Sequence, residues 1–204
     1  MIVYEDDYLI VVNKPSGILT VPTPKKEKHT LTSIINNILN ERGEQKEAFP
    51  CHRLDRETSG LIIYAKSINI QDKIMEQFKA GEVKKKYIAF IQGSLKQPQG
   101  TISFPLENKK AVTKYKLLQR RKGYSIIEVK PQTGRTNQIR IHFKMIGHPL
   151  LGERKFTFAK DFDIKFKRVA LHASGIEFRH PVSGEVLSFT SRLADDMNRL
   201  IGSL

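Results

Sequence analysis

A chain of 204 residues, 39% of them hydrophobic, can build one large domain or two small ones and is too apolar for intrinsic disorder. Its 35 basic and 21 acidic residues leave a net charge of +14, which favours a polyanionic partner, nucleic acid before anionic membrane. No run is long enough to span a bilayer, the start has no secretory pattern, and the single Cys51 excludes an internal disulfide framework.

Residues 2–4 and 9–12 read as strands, and Asn13-Lys14-Pro15-Ser16-Gly17 then breaks the chain. Lys14 emerges at the strand end, where a phosphate or an acidic group can meet it. A polar loop over residues 22–29 precedes Thr30, a candidate cap for a helix to about residue 39 with Leu31, Ile34, Ile35 and Ile38 on its apolar face. Residues 61–65 read as a buried strand. Ile70, Ile74, Met75 and Phe78 recur at helical spacing up to Gly81. Lys84, Lys85 and Lys86 open a strand that carries Tyr87; lysines there can neutralise phosphates while the aromatic stacks on a base. Strands are expected over residues 101–106, 111–119 and 124–130, the last two as a hairpin whose tip holds Arg120, Arg121 and Lys122. Thr136 or Asn137 can cap a helix with Ile139, Phe143 and Ile146 on its core side, and a helix start rich in Thr, Gly and Arg suits an anion. Residues 161–167 read as irregular, 169–178 and 185–189 as strands, and 192–201 as a short helix. The pattern is α+β, built on a mixed or antiparallel sheet.

The densest chemistry lies in His52-Arg53-Leu54-Asp55-Arg56-Glu57-Thr58-Ser59-Gly60, a polar loop feeding an apolar strand. Asp55 stands between two arginines, whose charge favours an ionised carboxylate over a general acid. A surface ion pair explains the same pattern, and Cys51 beside His52 reads as a buried thiol rather than a metal site.

Three segments together resemble the RluA-type pseudouridine synthases. They are Val12-Asn13-Lys14-Pro15-Ser16-Gly17, the stretch from His52 through Leu61, and Gly134-Arg135-Thr136-Asn137-Gln138-Ile139-Arg140-Ile141-His142. Leu171-His172-Ala173 and Phe178-Arg179-His180-Pro181 extend the likeness over nearly the whole chain. The resemblance implies a pseudouridine synthase catalytic fold over residues 1–204, with a long mixed, mainly antiparallel sheet flanked by helices and an RNA cleft. It implies isomerisation of uridine in ribosomal or transfer RNA in the cytoplasm, with no cofactor, no metal, no membrane and no specific protein partner, so that a monomer suffices. Asp55 matches the catalytic carboxylate, Arg53 the arginine that turns the target base out, and Tyr87 the tyrosine packed on that base. Ile139 matches a pocket position, and Arg140 the basic residue that pairs with the carboxylate. Lys14, Lys84, Lys85, Lys86, Arg120, Arg121 and Lys122 are the expected phosphate contacts.

Three features depart from the family. Asn137 stands where His is frequent, Val21-Pro22-Thr23-Pro24 replaces a usual His-Pro, and the first motif begins near residue 12, which leaves no room for a preceding S4 domain. Two other functions compete. One is a noncatalytic RNA-binding or chaperone module on the same fold. The other is a glycoside hydrolase, which needs two matched carboxylates where only Glu57 lies close to Asp55.

Overall fold

The computed structural model describes residues 1–25, 27–157 and 164–202. The chain divides into two compact units, Met1–Val83 with Gly175–Ser191, and Lys84–Ser174 with Arg192–Leu204. Each has its own core.

The first unit holds β1 (Ile2–Glu5), β2 (Leu9–Lys14), α1 (Leu31–Glu41), β3 (Phe49–Pro50), β4 (Ser59–Ala65) and α2 (Ile68–Ala80). Every residue of β4 is buried, which explains its unbroken run of small and apolar side chains. β4 pairs antiparallel with β2, from Leu9 opposite Ala65 to Lys14 opposite Gly60, and β1 pairs with the far side of β2. Leu61, Ile63 and Ala65 pack with Ile70 and Ile74 of α2 and with Leu9 and Val11 of β2. Tyr64 points the other way, its hydroxyl 3.2 Å from Thr32 Oγ1 in α1. Thr30 caps α1 as expected, in a reciprocal box with Ser33, and Gly81 ends α2 in a left-handed conformation.

The second unit holds β5 (Lys84–Gln92), β6 (Gln99–Ile102), β7 (Thr113–Arg121), β8 (Tyr124–Pro131) and α3 (Gln138–Met145). β5, β8, β7 and β6 lie in that order with antiparallel pairing throughout. Alternation sends Ala89, Ile91, Ile127 and Val129 to one face, against Ile139 and Phe143 of α3. Phe90, Tyr124 and Ile126 face the opposite way, against Met197 and Leu200 of α4 (Asp195–Gly202). β9 (Leu171–Arg179) begins in this unit and ends in the first, where its last five residues pair with β10 (Val186–Thr190).

The α+β class is as expected, and so is the hairpin, with Arg121 opposite Tyr124. Several boundaries differ. The strand expected over 101–106 is β6, which stops at Ile102 because the chain then meets Pro105, which has no N–H for a ladder. β7 starts at Thr113 rather than 111, and α4 at Asp195 rather than 192. β3 is only two residues long and has no periodic signal. Of the stretch expected to be irregular, residues 161–163 lie outside the described residues, and 164–167 form neither helix nor strand. Among the described residues no helix is long and apolar enough to cross a membrane.

One glycine carries a backbone contact that no side chain would fit. Leu151 is tied on both sides, its amide donating to the Phe90 carbonyl at 2.8 Å and its carbonyl accepting from the Ala170 amide at 2.9 Å. Gly152 follows at φ +75°, and a Cβ there would overlap the Arg168 carbonyl. Gly152→Ala is therefore expected to lower the unfolding free energy by about 2–4 kcal/mol, read from urea denaturation. A loss under about 1 kcal/mol would mean that the backbone yields cheaply there.

Candidate active site

Lys14 lies at the end of β2, opposite Gly60, and is fully buried. Its ammonium donates to the carbonyls of Pro15 at 3.0 Å, Ile18 at 2.8 Å and Arg56 at 3.1 Å. The Ser16 hydroxyl donates to the Glu57 carbonyl at 2.7 Å. The Gly17 amide donates to the Arg56 carbonyl at 2.8 Å. On the other side of Asp55, the Thr20 hydroxyl donates to the Leu54 carbonyl at 3.0 Å and accepts from the Leu54 amide at 3.2 Å. The residue before Asp55 and the two after it are thus fastened to the turn that follows β2. The Asp55 carbonyl accepts from the Thr58 amide at 3.1 Å, which tightens the loop itself. Asp55 is half-buried, while Arg53 and Arg56 are exposed.

The start of the loop is anchored to β4. The Ile63 amide donates to His52 Nε2 at 3.1 Å, and the His52 ring lies 4.9 Å from that of Phe78. Cys51 is the buried thiol expected, and burial pushes its thiol up to about 12.

In the second unit, α3 assigns successive side chains to different tasks. Gln138 donates to the Val112 carbonyl at 3.0 Å and to Thr113 Oγ1 at 2.9 Å, while its carbonyl oxygen accepts from the Thr133 hydroxyl at 2.6 Å and the Arg135 amide at 3.0 Å. The Arg135 amide of the expected anion-binding start is thereby engaged internally. Ile139 is buried, and the half-buried Tyr87 of β5 packs on the same cluster. His142 is fully buried between Thr113 Oγ1 and the Phe104 carbonyl, each at 2.9 Å. Burial lowers its proton affinity, against the pull of the Phe104 carbonyl.

Arg140 is buried as well. Its Nε and Nη2 donate to the two oxygens of Glu153 at 2.7 Å and 2.8 Å, and its Nη1 donates to Asn137 Oδ1 at 2.7 Å. The Phe156 ring centroid lies 5.2 Å from the guanidinium carbon. Glu153 is completely buried and also accepts from the amides of Lys155 at 2.8 Å and Phe156 at 3.3 Å. Burial pushes its carboxyl up, but the hydrogen bonds and charge of Arg140, with those two amides, outweigh it and hold the carboxyl below the usual glutamate range. Asn137 takes the N-cap position at φ +53°, yet its side chain makes no cap bond; it serves Arg140 instead.

Of the residues singled out in the sequence, Arg53 and Asp55 fall in the first unit, and Tyr87, Ile139 and Arg140 in the second. Lys14 is a correction: its ammonium is surrounded by carbonyls inside the fold and is not available to a phosphate. Lys84 is exposed, and Lys86 half-buried. Lys85 turns inward, its ammonium 3.4 Å from the Thr133 carbonyl, with burial lowering its pKa. At the hairpin tip Lys122 and Arg120 are exposed and Arg121 half-buried, and Arg120 Nε donates to Ser94 Oγ at 3.0 Å. The sequence reading overlooked Thr20, Gln138 and Glu153. Only Glu153 carries a local signal, an acidic residue directly after the apolar Pro149-Leu150-Leu151-Gly152.

Residues 8–145 match a family described as RNA pseudouridylate synthase. The chain is 34% identical over 209 residues to the dual-specificity RNA pseudouridine synthase RluA of Haemophilus influenzae, covering 94% of this chain and 92% of that protein. It is 32% identical over 223 residues to the ribosomal large subunit pseudouridine synthase D of Nitrosomonas europaea, covering all of this chain and 64% of the relative. The fold matches that of the solved human RNA pseudouridylate synthase domain containing 4 with a TM-score of 0.85 at 22% identity, over 98% of this chain and 91% of that one.

Lys14→Met keeps the length of the side chain and removes the ammonium. Carbonyls that shared it lose a charged donor, at a cost of about 3 kcal/mol in unfolding free energy. The carbonyls of Arg56 and Ile18 should gain freedom, so hydrogen exchange at the amides of 54–58 should quicken. Unchanged exchange there would show that the ammonium does not restrain the Asp55 loop.

Proposed function

The chain belongs to the RluA-type RNA pseudouridine synthases, and from that premise we propose that it isomerises uridine in ribosomal or transfer RNA with Asp55 as the reacting carboxylate. The substrate class follows the names of the relatives, one a ribosomal large subunit enzyme and one of dual specificity. The catalytic domain comprises residues 1–204, both compact units together, and works in the cytoplasm. The observation that supports Asp55 above its neighbours is the fastening of Leu54, Arg56 and Glu57 around it. A reacting group must be held close to its productive geometry, and a loop tied on both sides of one residue does that.

The reaction breaks the bond from C1′ to N1 of uracil and makes one from C1′ to C5. The carboxylate either attacks C1′ or takes the C2′ proton, and in both routes uracil is rejoined before it can leave. C5 gives up its proton as the new bond forms, and N1 gains one, so no atom is exchanged with a second substrate. Arg53, exposed beside Asp55, fills the stack when the target base turns out. Tyr87 offers its ring to the detached uracil, Ile139 closes the pocket, and Arg140 pairs with the carboxylate. Lys84, Lys85, Lys86, Arg120, Arg121 and Lys122 supply positive charge for the RNA backbone.

Asp55→Asn should abolish product under single-turnover conditions while leaving the melting temperature and RNA affinity nearly unchanged, since losing a negative charge does not weaken attraction to a polyanion. Product at a near wild-type rate would overturn the assignment. Arg53→Ala should slow a substrate with a paired target uridine about tenfold more than one with the uridine already unpaired, because the opening cost of a few kcal/mol is then absent. Equal losses on the two substrates would remove the base-opening role.

A further inference from the structure

We infer that Glu153 is a positioning residue of the reaction, which aims the Arg140 guanidinium and neutralises it from behind. The inference rests on the reading that Asp55 reacts and that Arg140 is its partner. Glu153 has no exposed surface, and a carboxylate so placed loses its hydration entirely. Tying down the turn after it would need only an acceptor for the amides of Lys155 and Phe156, which a neutral oxygen can provide. A charged carboxylate has a reason to be there only because it meets a guanidinium along its whole Nε–Nη2 edge.

The support behind Glu153 is rigid. Leu151 is held between the backbones of Phe90 and Ala170, and Gly152 is pressed against the Arg168 carbonyl. Asn137 takes one Nη1 hydrogen, and Phe156 covers the guanidinium. The bidentate pairing with Glu153 fixes the plane of the guanidinium, and with it the directions in which Nη1 and Nη2 point. Arg140 and Glu153 together carry no net charge, so Arg140 acts on a carboxylate by directed hydrogen bonds more than by a bare positive charge.

A double-mutant cycle tests this, with single-turnover rates at saturating RNA, RNA affinity and thermal unfolding read for each variant. Glu153→Gln should slow the chemical step tenfold or more with RNA affinity within about threefold of wild type, and Glu153→Asp, which keeps the charge on a shorter arm, should slow it less. In an Arg140→Gln background, slow but followed over long incubations, neither change should cost more than about twofold. The double variant Arg140→Gln, Glu153→Gln buries no charge and should fold even where a single one is unstable. If Glu153→Gln does not fold, Glu153→Asp with and without Arg140→Gln carries the same comparison. A folded Glu153→Gln protein with wild-type rate, or an equal loss in both backgrounds, would overturn the inference. Asp55→Asn separates the two levels. An active Asp55→Asn protein removes the reading beneath, whereas an inactive one beside a wild-type Glu153→Gln rate removes only the role of Glu153.

Discussion

The first unit depends on a lysine that never reaches solvent. Taking an ammonium out of water costs several kcal/mol, and three charge-assisted hydrogen bonds at roughly 1.5–3 kcal/mol each about offset it. The net stability from Lys14 is therefore small, and its effect is geometric. The carbonyls of Pro15, Ile18 and Arg56 belong to two segments, the turn after β2 and the loop before β4, and the ammonium holds both at one point. Ser16 and Thr20 extend the same seam in either direction. The Asn-Lys-Pro-Ser-Gly motif and the Asp55 loop are thus one structure written in two places, some forty residues apart.

The second unit meets the same need with different chemistry. Arg140 also loses its water, but its partner is a full carboxylate. The hydrogen bonds of Lys14 to Pro15, Ile18 and Arg56 all go to backbone carbonyls. The Arg140–Glu153 pair instead sets a guanidinium against a carboxylate along its Nε–Nη2 edge, which fixes the plane of the group. Gln138 and His142 lie four residues apart on α3, and they complete the frame by holding Thr113, the segment before β7 and the turn after β8.

Local features were legible in the sequence. The Asp55 loop stood out by its density of charge before an apolar run, Thr30 by its place at the head of a periodic stripe, and Gly81 by the end of one. Features fixed at a distance were not. A lysine at a strand end is usually solvated, and nothing near Lys14 announces that residue 56 will fold over it. Glu153 looks like a surface acid after a glycine until Arg140, thirteen residues earlier, turns towards it. Strand ends also escaped, since Phe104 and Pro105 continue the apolar texture of β6 while breaking its hydrogen bonding. The class and motif order survived these misses because they rest on many residues, whereas the supporting contacts rest on single long-range pairs.

Asn137 shows what the frame requires. The residue before α3 is left-handed, at φ +53°, a conformation that Asn adopts more readily than most. Its side chain does not cap the helix but accepts from Arg140. A histidine here could do the same only through an unprotonated ring nitrogen. A second cation beside the guanidinium would oppose Arg140. What the position needs is therefore an acceptor set at the right angle, not a proton carrier, and Asn137 Oδ1 supplies it at 2.7 Å. Asn137 thereby joins Glu153 in the hydrogen-bonded shell around Arg140.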